Sequence, residues 1–185
     1  KVAVIGGGLG TAIAYPQAKK LHELGAEVTV ITGFRNKDLI ILEDELKKIA
    51  DKLIIATDDG SNGTQGFVTD MLEKEILAGE KFDEVIAIGP LVMMKFVSLL
   101  TQKYDIPTMV SLNPVMIDGT GMCGGCRLTL NVDGKKVTKF ACVDGPDFNG
   151  YEIDFDEAMS RGRMYSDFER HAYEKNCNLF NKEVQ

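Results

Sequence analysis

The sequence has no tryptophan, only two histidines, and fewer basic than acidic side chains, 21 against 28, for a formal net charge of −7. Each shortage excludes something. A surplus of negative charge leaves no general electrostatic route to a phosphate backbone or an anionic bilayer, so neither nucleic acid nor a membrane is an expected partner. His22, in a helical stretch, and His171, in a charged tail, make no Ser-His-Asp or Cys-His set and are expected at the surface. No long hydrophobic run exists. The most apolar stretch, Val85 to Met94, is interrupted by Gly89 and Pro90 and meets Lys95, too short to span a bilayer. A charged leader, solenoid repeats and low-complexity tracts are also missing. The first residues, Lys1-Val2-Ala3-Val4-Ile5, already read as a buried strand without an initiator methionine, so the chain is expected to be part of a longer protein.

What is present suits a soluble globular domain: 185 residues, 44% hydrophobic and 26% charged, enough to bury a core. One unit repeats: apolar strand, turn, amphipathic helix. Strands are expected at 1–5, 27–32, 53–57, 84–88 and 108–111. Helices are expected at 11–24, with Pro16 early and Gly25 as the stop, around 43–52, at 67–78, and from Pro90 to about Gln102. The alternation predicts an α/β fold, a doubly wound five-stranded parallel sheet. Such sheets bind ligands beyond the carboxyl ends of their strands, which directs attention to the loops after strands one, three and four.

After Asn113-Pro114 the pattern changes. Asp118 to Cys142 holds five glycines and three cysteines in 25 residues, too few apolar side chains for a separate core, so a disulfide or metal staple is expected. The expected organisation is a nucleotide-binding domain over 1–112, a cysteine module over 113–155 and a charged tail over 156–185, helical to about Lys175. The tail, with Arg161, Arg163, Tyr165 and Phe168, reads either as partner-contact surface or as a solvated helix.

Gly6-Gly7-Gly8-Leu9-Gly10-Thr11-Ala12 follows a strand and opens a helix. Glycines let the backbone approach a pyrophosphate, whose charge meets the helix N-terminus. The run departs from strict G-x-G-x-x-G: counted from Gly8, Ile13 stands where the third glycine would be, and counted from Gly7 that seat holds Ala12, a tolerated variant. Gly7, Gly8, Gly10, Thr11 and Ala12 are therefore candidate dinucleotide contacts. The second strand ends in Thr32-Gly33-Phe34-Arg35 instead of an acid. Arg35 reads as a partner for a 2′-phosphate or adenine, or as a solvated loop arginine. Asp58 and Gly60, in the turn after strand three, read as a ribose contact or as an Asx-type turn. NAD(H) and NADP(H) both stay open.

The cysteines are Cys123, Cys126, Cys142 and Cys177. Cys177 reads as a free thiol. Asp118 precedes Cys123 with four residues, Gly119-Thr120-Gly121-Met122, between them, giving D-x4-C-x2-C-x15-C. Plant-type [2Fe–2S] sites run C-x4-C-x2-C with a distant fourth ligand, so Asp118, Cys123, Cys126 and Cys142 are candidate ligands with a carboxylate in the first seat. A tetrahedral zinc site from the same residues stays open.

Together the motifs resemble the small flavin subunit of NADH-dependent reduced ferredoxin:NADP oxidoreductase, and the related electron-transfer subunit of dihydroorotate dehydrogenase B. The resemblance runs to about Arg163 and is carried by the glycine loop, Asp58–Gly60, Gly63-Thr64-Gln65-Gly66-Phe67, Ile88-Gly89-Pro90 with Met93-Met94, SLNPVMIDGTGMCGGC, and FACVDGPDF with Asp154-Phe155. Asp118 matches the first family; its dihydroorotate relatives have cysteine there. The resemblance implies a ferredoxin-reductase-type nucleotide domain with a small C-terminal [2Fe–2S] module, and an FAD-binding barrel preceding Lys1. It places Gly89, Pro90, Met93 and Met94 at the nicotinamide end. It implies electron transfer between NAD(H), FAD and the cluster to a larger flavin and iron–sulfur partner subunit in a heterodimer or higher assembly, with ferredoxin served indirectly. No acid–base residue is required, and a cytoplasmic location follows from the reduced thiols a cluster needs.

Overall fold

A computed structural model of the chain describes residues 1–176; Cys177 lies outside the described residues. Six strands form the main sheet: β1 (Val2–Gly7), β2 (Val28–Phe34), β3 (Lys52–Thr57), β4 (Glu84–Ile88), β5 (Thr108–Ser111) and β8 (Asp147–Asn149), in the order β3-β2-β1-β4-β5-β8. The first five are parallel. The sixth, which was not expected, adds antiparallel to β5. Two further strands, β6 (Arg127–Val132) and β7 (Lys135–Phe140), form a separate hairpin.

Period-two burial decides which helices cover which face. Val2 and Val4 point to one side, with Ala14 and Ala18 of α1 (Gly10–Glu23) and Leu46 of α2 (Glu43–Lys47). Ala3 and Ile5 point to the other, with Leu72 of α3 (Val68–Leu77) and Val97 of α4 (Leu91–Gln102). Pro16 falls at mid-α1, not early in it as expected. The helix tolerates it because Ala12, whose carbonyl loses its partner, is exposed. The second helix ends five residues before its expected limit, because Lys52 already belongs to β3.

The cysteine region does not stand on a core of its own. Leu128 and Leu130 of the hairpin, Phe148 of β8, and Ile153 and Phe155 behind them join the α3/α4 core. A short helix, α5 (Ala141–Asp144), follows the hairpin. The tail is two helices, α6 (Phe155–Gly162) and α7 (Ser166–Asn176), instead of one. Lys95 of α4 pairs with Asp156 of α6 at 2.7 Å, binding the tail to the sheet domain. Among the described residues no helix is long and apolar enough to cross a membrane, and His22 and His171 are exposed as expected.

Candidate functional site

The strand order reverses between β1 and β4, the place where doubly wound sheets open a crevice. A cavity of about 610 Å³ lies there. Its floor is Gly7 at the end of β1, Gly8 after it, and Pro90 and Met93 at the start of α4. Gly8 has φ +53°, a left-handed turn that favours glycine, and its N–H donates to Gly33 O at 2.8 Å. Gly7 and Gly89 press together: a β-carbon on Gly7 would meet Met93 Sδ at 2.5 Å, and one on Gly89 would meet Gly7 Cα at 3.0 Å. The N-terminus of α1 carries neither an acidic side chain in its first turn nor a side-chain cap, leaving its dipole uncompensated on the cavity side.

The rim comes from β2 and β3. Register places Phe34 beside Thr57, so Arg35 and Asp58 leave the sheet as neighbours, and both line the cavity. The two carboxylates after β3 are not equivalent. Asp59 accepts from Ser61 N–H at 2.9 Å, and the Ser61 hydroxyl, followed by that N–H, holds its carboxyl below the usual range. Asp58 lines the cavity, and its main chain is engaged at both ends, the N–H donating to Phe34 O at 3.0 Å and the carbonyl accepting from Gln65 Nε2 at 3.2 Å. Asn62 fixes the loop, donating to Ile55 O at 2.8 Å and accepting from Thr64 N–H at 3.0 Å. Lys37 N–H bonds Ser61 Oγ at 2.7 Å, joining the β2 and β3 loops into one edge.

The opposite wall was missed by sequence reasoning. Gly66, Phe67 and Thr69 at the start of α3, with Val92 and Phe96 of α4, line the cavity. Phe67 and Phe96 are exposed aromatics, a signal legible only once the two helices stand side by side. Several expected contacts sit elsewhere. Met94 is fully buried in the core, because the residue after Met93 turns to the other side of α4. Thr11 is fully buried beneath Gly6, with no hydrogen-bond partner for its hydroxyl among the described residues. Gly10 lies against the β4 backbone, a β-carbon there meeting Ile88 O at 2.3 Å. Ala12 and Gly60 are outside the lining.

The cysteine loop holds its candidate ligands as two pairs. The Asp118 carboxylate accepts from Thr120 N–H at 2.9 Å and Cys123 N–H at 3.0 Å, and the Thr120 N–H leads in holding its carboxyl below the ordinary range. Cys126 Sγ and Cys142 Sγ lie 3.2 Å apart. The Cys142 N–H favours the Cys126 thiolate, while the Cys126 sulfur pushes the Cys142 thiol up. Among the described residues, no group of three or more potential ligands converges on one point. The donor set nevertheless fits an iron–sulfur centre: two thiols and a carboxylate in one glycine-rich loop, with Gly119, Gly121 and Gly124 at positive φ giving it tight curvature, and a third thiol, Cys142 of α5, brought to it by the hairpin.

Two family descriptions match the chain. Residues 4–99 match the oxidoreductase NAD-binding domain, and 113–154 match the iron–sulfur cluster binding domain of dihydroorotate dehydrogenase B. The chain belongs to the oxidoreductase NAD-binding domain family. It is 49% identical over 174 residues to a Thermotoga maritima protein named as a dihydroorotate dehydrogenase B (NAD(+)) electron transfer subunit homolog, covering 94% of this chain and 60% of that one. An uncharacterized Clostridium beijerinckii protein is 53% identical over 163 residues, 87% of this chain and 53% of that one. Among solved structures, a chain from work on flavin-based electron bifurcation by NADH-dependent reduced ferredoxin-NADP oxidoreductase superposes with TM-score 0.82 at 47% identity, over 94% of this chain and 60% of that one. The chain thus spans between half and two thirds of the length of these relatives. The expected fold class and family resemblance are borne out by these matches.

Proposed function

We propose that this chain is the nucleotide and iron–sulfur part of an electron-transfer subunit, moving electrons between NAD(H), FAD and a [2Fe–2S] cluster to a larger flavin and iron–sulfur subunit, as in ferredoxin:NADP oxidoreductases. The observation that carries the reading is the junction of a dinucleotide-sized cavity at the sheet's switch point and a module of three thiols and one carboxylate on one shared core. Residues 1–112 serve the nucleotide and 113–155 the cluster. Gly7, Gly8 and the start of α1 receive the pyrophosphate, Asp58 takes a ribose diol, and Pro90 and Met93 border the nicotinamide. Arg35 meets the adenosine end.

Asp118 with Cys123, and Cys126 with Cys142, are the two halves of the cluster's ligand set. A bound cluster carries single electrons and so divides the pair delivered as hydride. The chain's own residues bind, orient and exclude water; none acts as acid or base. FAD belongs to a part of the protein outside this chain, so the chain alone is not expected to oxidise NADH. Reduced thiols suit a cytoplasmic setting. Asp118 in the first seat supports this type over the dihydroorotate type; the identities, 47% to the ferredoxin-NADP oxidoreductase chain and 49% to the dihydroorotate homolog, fit both.

The test is the absorption spectrum of the anaerobically purified full-length protein, with iron, acid-labile sulfide and zinc assayed on the same sample. A visible band bleached by dithionite, with about two irons per chain, is the expected result. A colourless protein holding one zinc overturns the redox reading and leaves a stapled nucleotide-binding domain.

A further inference from the structure

In sequence the obvious dithiol is Cys123-Gly124-Gly125-Cys126. In space it is not. Gly124, at φ +67°, turns the chain between the two, and the exposed Cys123 sulfur accepts from Gly125 N–H at 3.4 Å. Cys126 instead faces Cys142, Sγ to Sγ at 3.2 Å. The hairpin creates this pairing. Arg127 opens β6 opposite Phe140, which closes β7. One step further out, Ala141 N–H donates to Cys126 O at 3.1 Å, so the next residue, Cys142, arrives beside Cys126. A disulfide bond near 2.05 Å requires the sulfurs to close by only about 1 Å. Cys126 is 2% exposed, whereas Cys142 is half-buried and reachable.

We propose that Cys126 and Cys142, not the C-x-x-C pair, form a reversible disulfide in the cluster-free protein. Cys142 is the entry point. Its sulfur attacks a low-molecular-weight disulfide such as oxidised glutathione, breaking that S–S bond, and one glutathione leaves as thiol with the Cys142 proton. Cys126 then attacks the Cys142 sulfur of the mixed disulfide, and the second glutathione leaves with the Cys126 proton. Two electrons pass from the cysteine pair to the glutathione pair. Cys123 keeps its thiol. Where the cluster reading holds, the disulfide removes two of the four ligands at once, since only thiolates bind metal, and cluster loading becomes conditional on reduction.

The experiment uses full-length protein stripped of metal with a chelator, exposed to oxidised glutathione, blocked with iodoacetamide and digested with trypsin without reduction. Cleavage after Arg127 separates Cys126 from Cys142 but leaves Cys123 and Cys126 on one peptide. The expected product joins the Cys126 peptide to the Cys142 peptide, with Cys123 alkylated, and dithiothreitol releases it. Cys123→Ser retains the linkage and Cys142→Ser abolishes it. A linkage within the Cys123–Cys126 peptide, a linkage through Cys177, stable glutathione on Cys142, or alkylation of Cys123, Cys126 and Cys142 alike overturns the proposal. Iron uptake by the reduced sample is read separately. A protein that forms the linkage but takes up zinc and no iron keeps the disulfide and loses the cluster reading.

Discussion

Gly10 opens α1 directly against the carbonyl of Ile88: a β-carbon on Gly10 would stand 2.3 Å from that oxygen and 2.8 Å from Gly89 Cα. This contact brings the loop after β1 to the loop after β4 and closes the cavity floor. Gly8 is glycine for another reason, since its surroundings are open but its φ is +53°. Gly10→Ala is therefore expected to cost about 3 kcal/mol through backbone overpacking, and Gly8→Ala about 1 kcal/mol through left-handed strain. Urea unfolding of both variants checks the order. Equal costs would mean that the close approach to Ile88 is not what fixes the loop.

Asp58 and Asp59 invite a paired test. Because Asp59 is engaged in its turn with Ser61 and Asp58 faces the cavity, Asp58→Asn is expected to weaken NADH binding about tenfold, roughly 1.4 kcal/mol. It also removes a charge that would repel a 2′-phosphate, so the preference for NADH over NADPH falls. Asp59→Asn leaves that preference in place. Titration calorimetry of the full-length variants with each dinucleotide decides it, and an unchanged preference in Asp58→Asn removes Asp58 from the ribose site.

The parallel part of the fold was legible because buried parallel strands are continuous apolar runs; β4 and β5 fall where the sequence puts them, at 84–88 and 108–111. The β6–β7 hairpin was missed although its signal is present. Arg127 to Val132 alternates, and Asp133-Gly134 supplies a two-residue turn with φ of +50° and +75°. The glycines and cysteines around it dominate the composition of this stretch, and the attachment of Leu128 and Leu130 to the main core is a tertiary contact. Gly7, Gly8, Arg35, Asp58, Pro90 and Met93 line the cavity. Met94 does not, since adjacent helical residues face different ways, and the aromatic wall of Phe67 and Phe96 needed tertiary structure to be seen.

Asp154 predicts an acid sensitivity. It caps α6, accepting from Glu157 N–H at 3.0 Å, and pairs with Lys136 at 3.0 Å; the Glu157 N–H and then Lys136 hold its carboxyl below the ordinary value. A depressed folded-state pKa gives stability that is complete above the unfolded value, near 3.9, and is lost as the pH falls through the folded value. Asp154→Ala should cost about 1 kcal/mol at pH 7, and Asp154→Asn less because the cap acceptor survives. The gap between wild type and Asp154→Asn should shrink below about pH 4. Thermal unfolding from pH 7 to 3 measures it, and a gap independent of pH would exclude the ionised carboxylate as its source.

Metal removal should not unfold this protein, because the cysteine loop is anchored by apolar side chains as well as by any metal. Leu130 is 5% exposed, sits in the common core and bridges to Ile153. Chelation is therefore expected to leave far-ultraviolet circular dichroism nearly unchanged. Leu130→Ala leaves a cavity under the hairpin, with an expected cost of about 3 kcal/mol. It should also lower metal occupancy without touching a ligand, since the hairpin sets the distance between Cys126 and Cys142. If chelation alone collapses the circular dichroism, the metal and not Leu128, Leu130 and Ile153 holds the module, and the need for a staple read from its glycine-rich composition would be the better account.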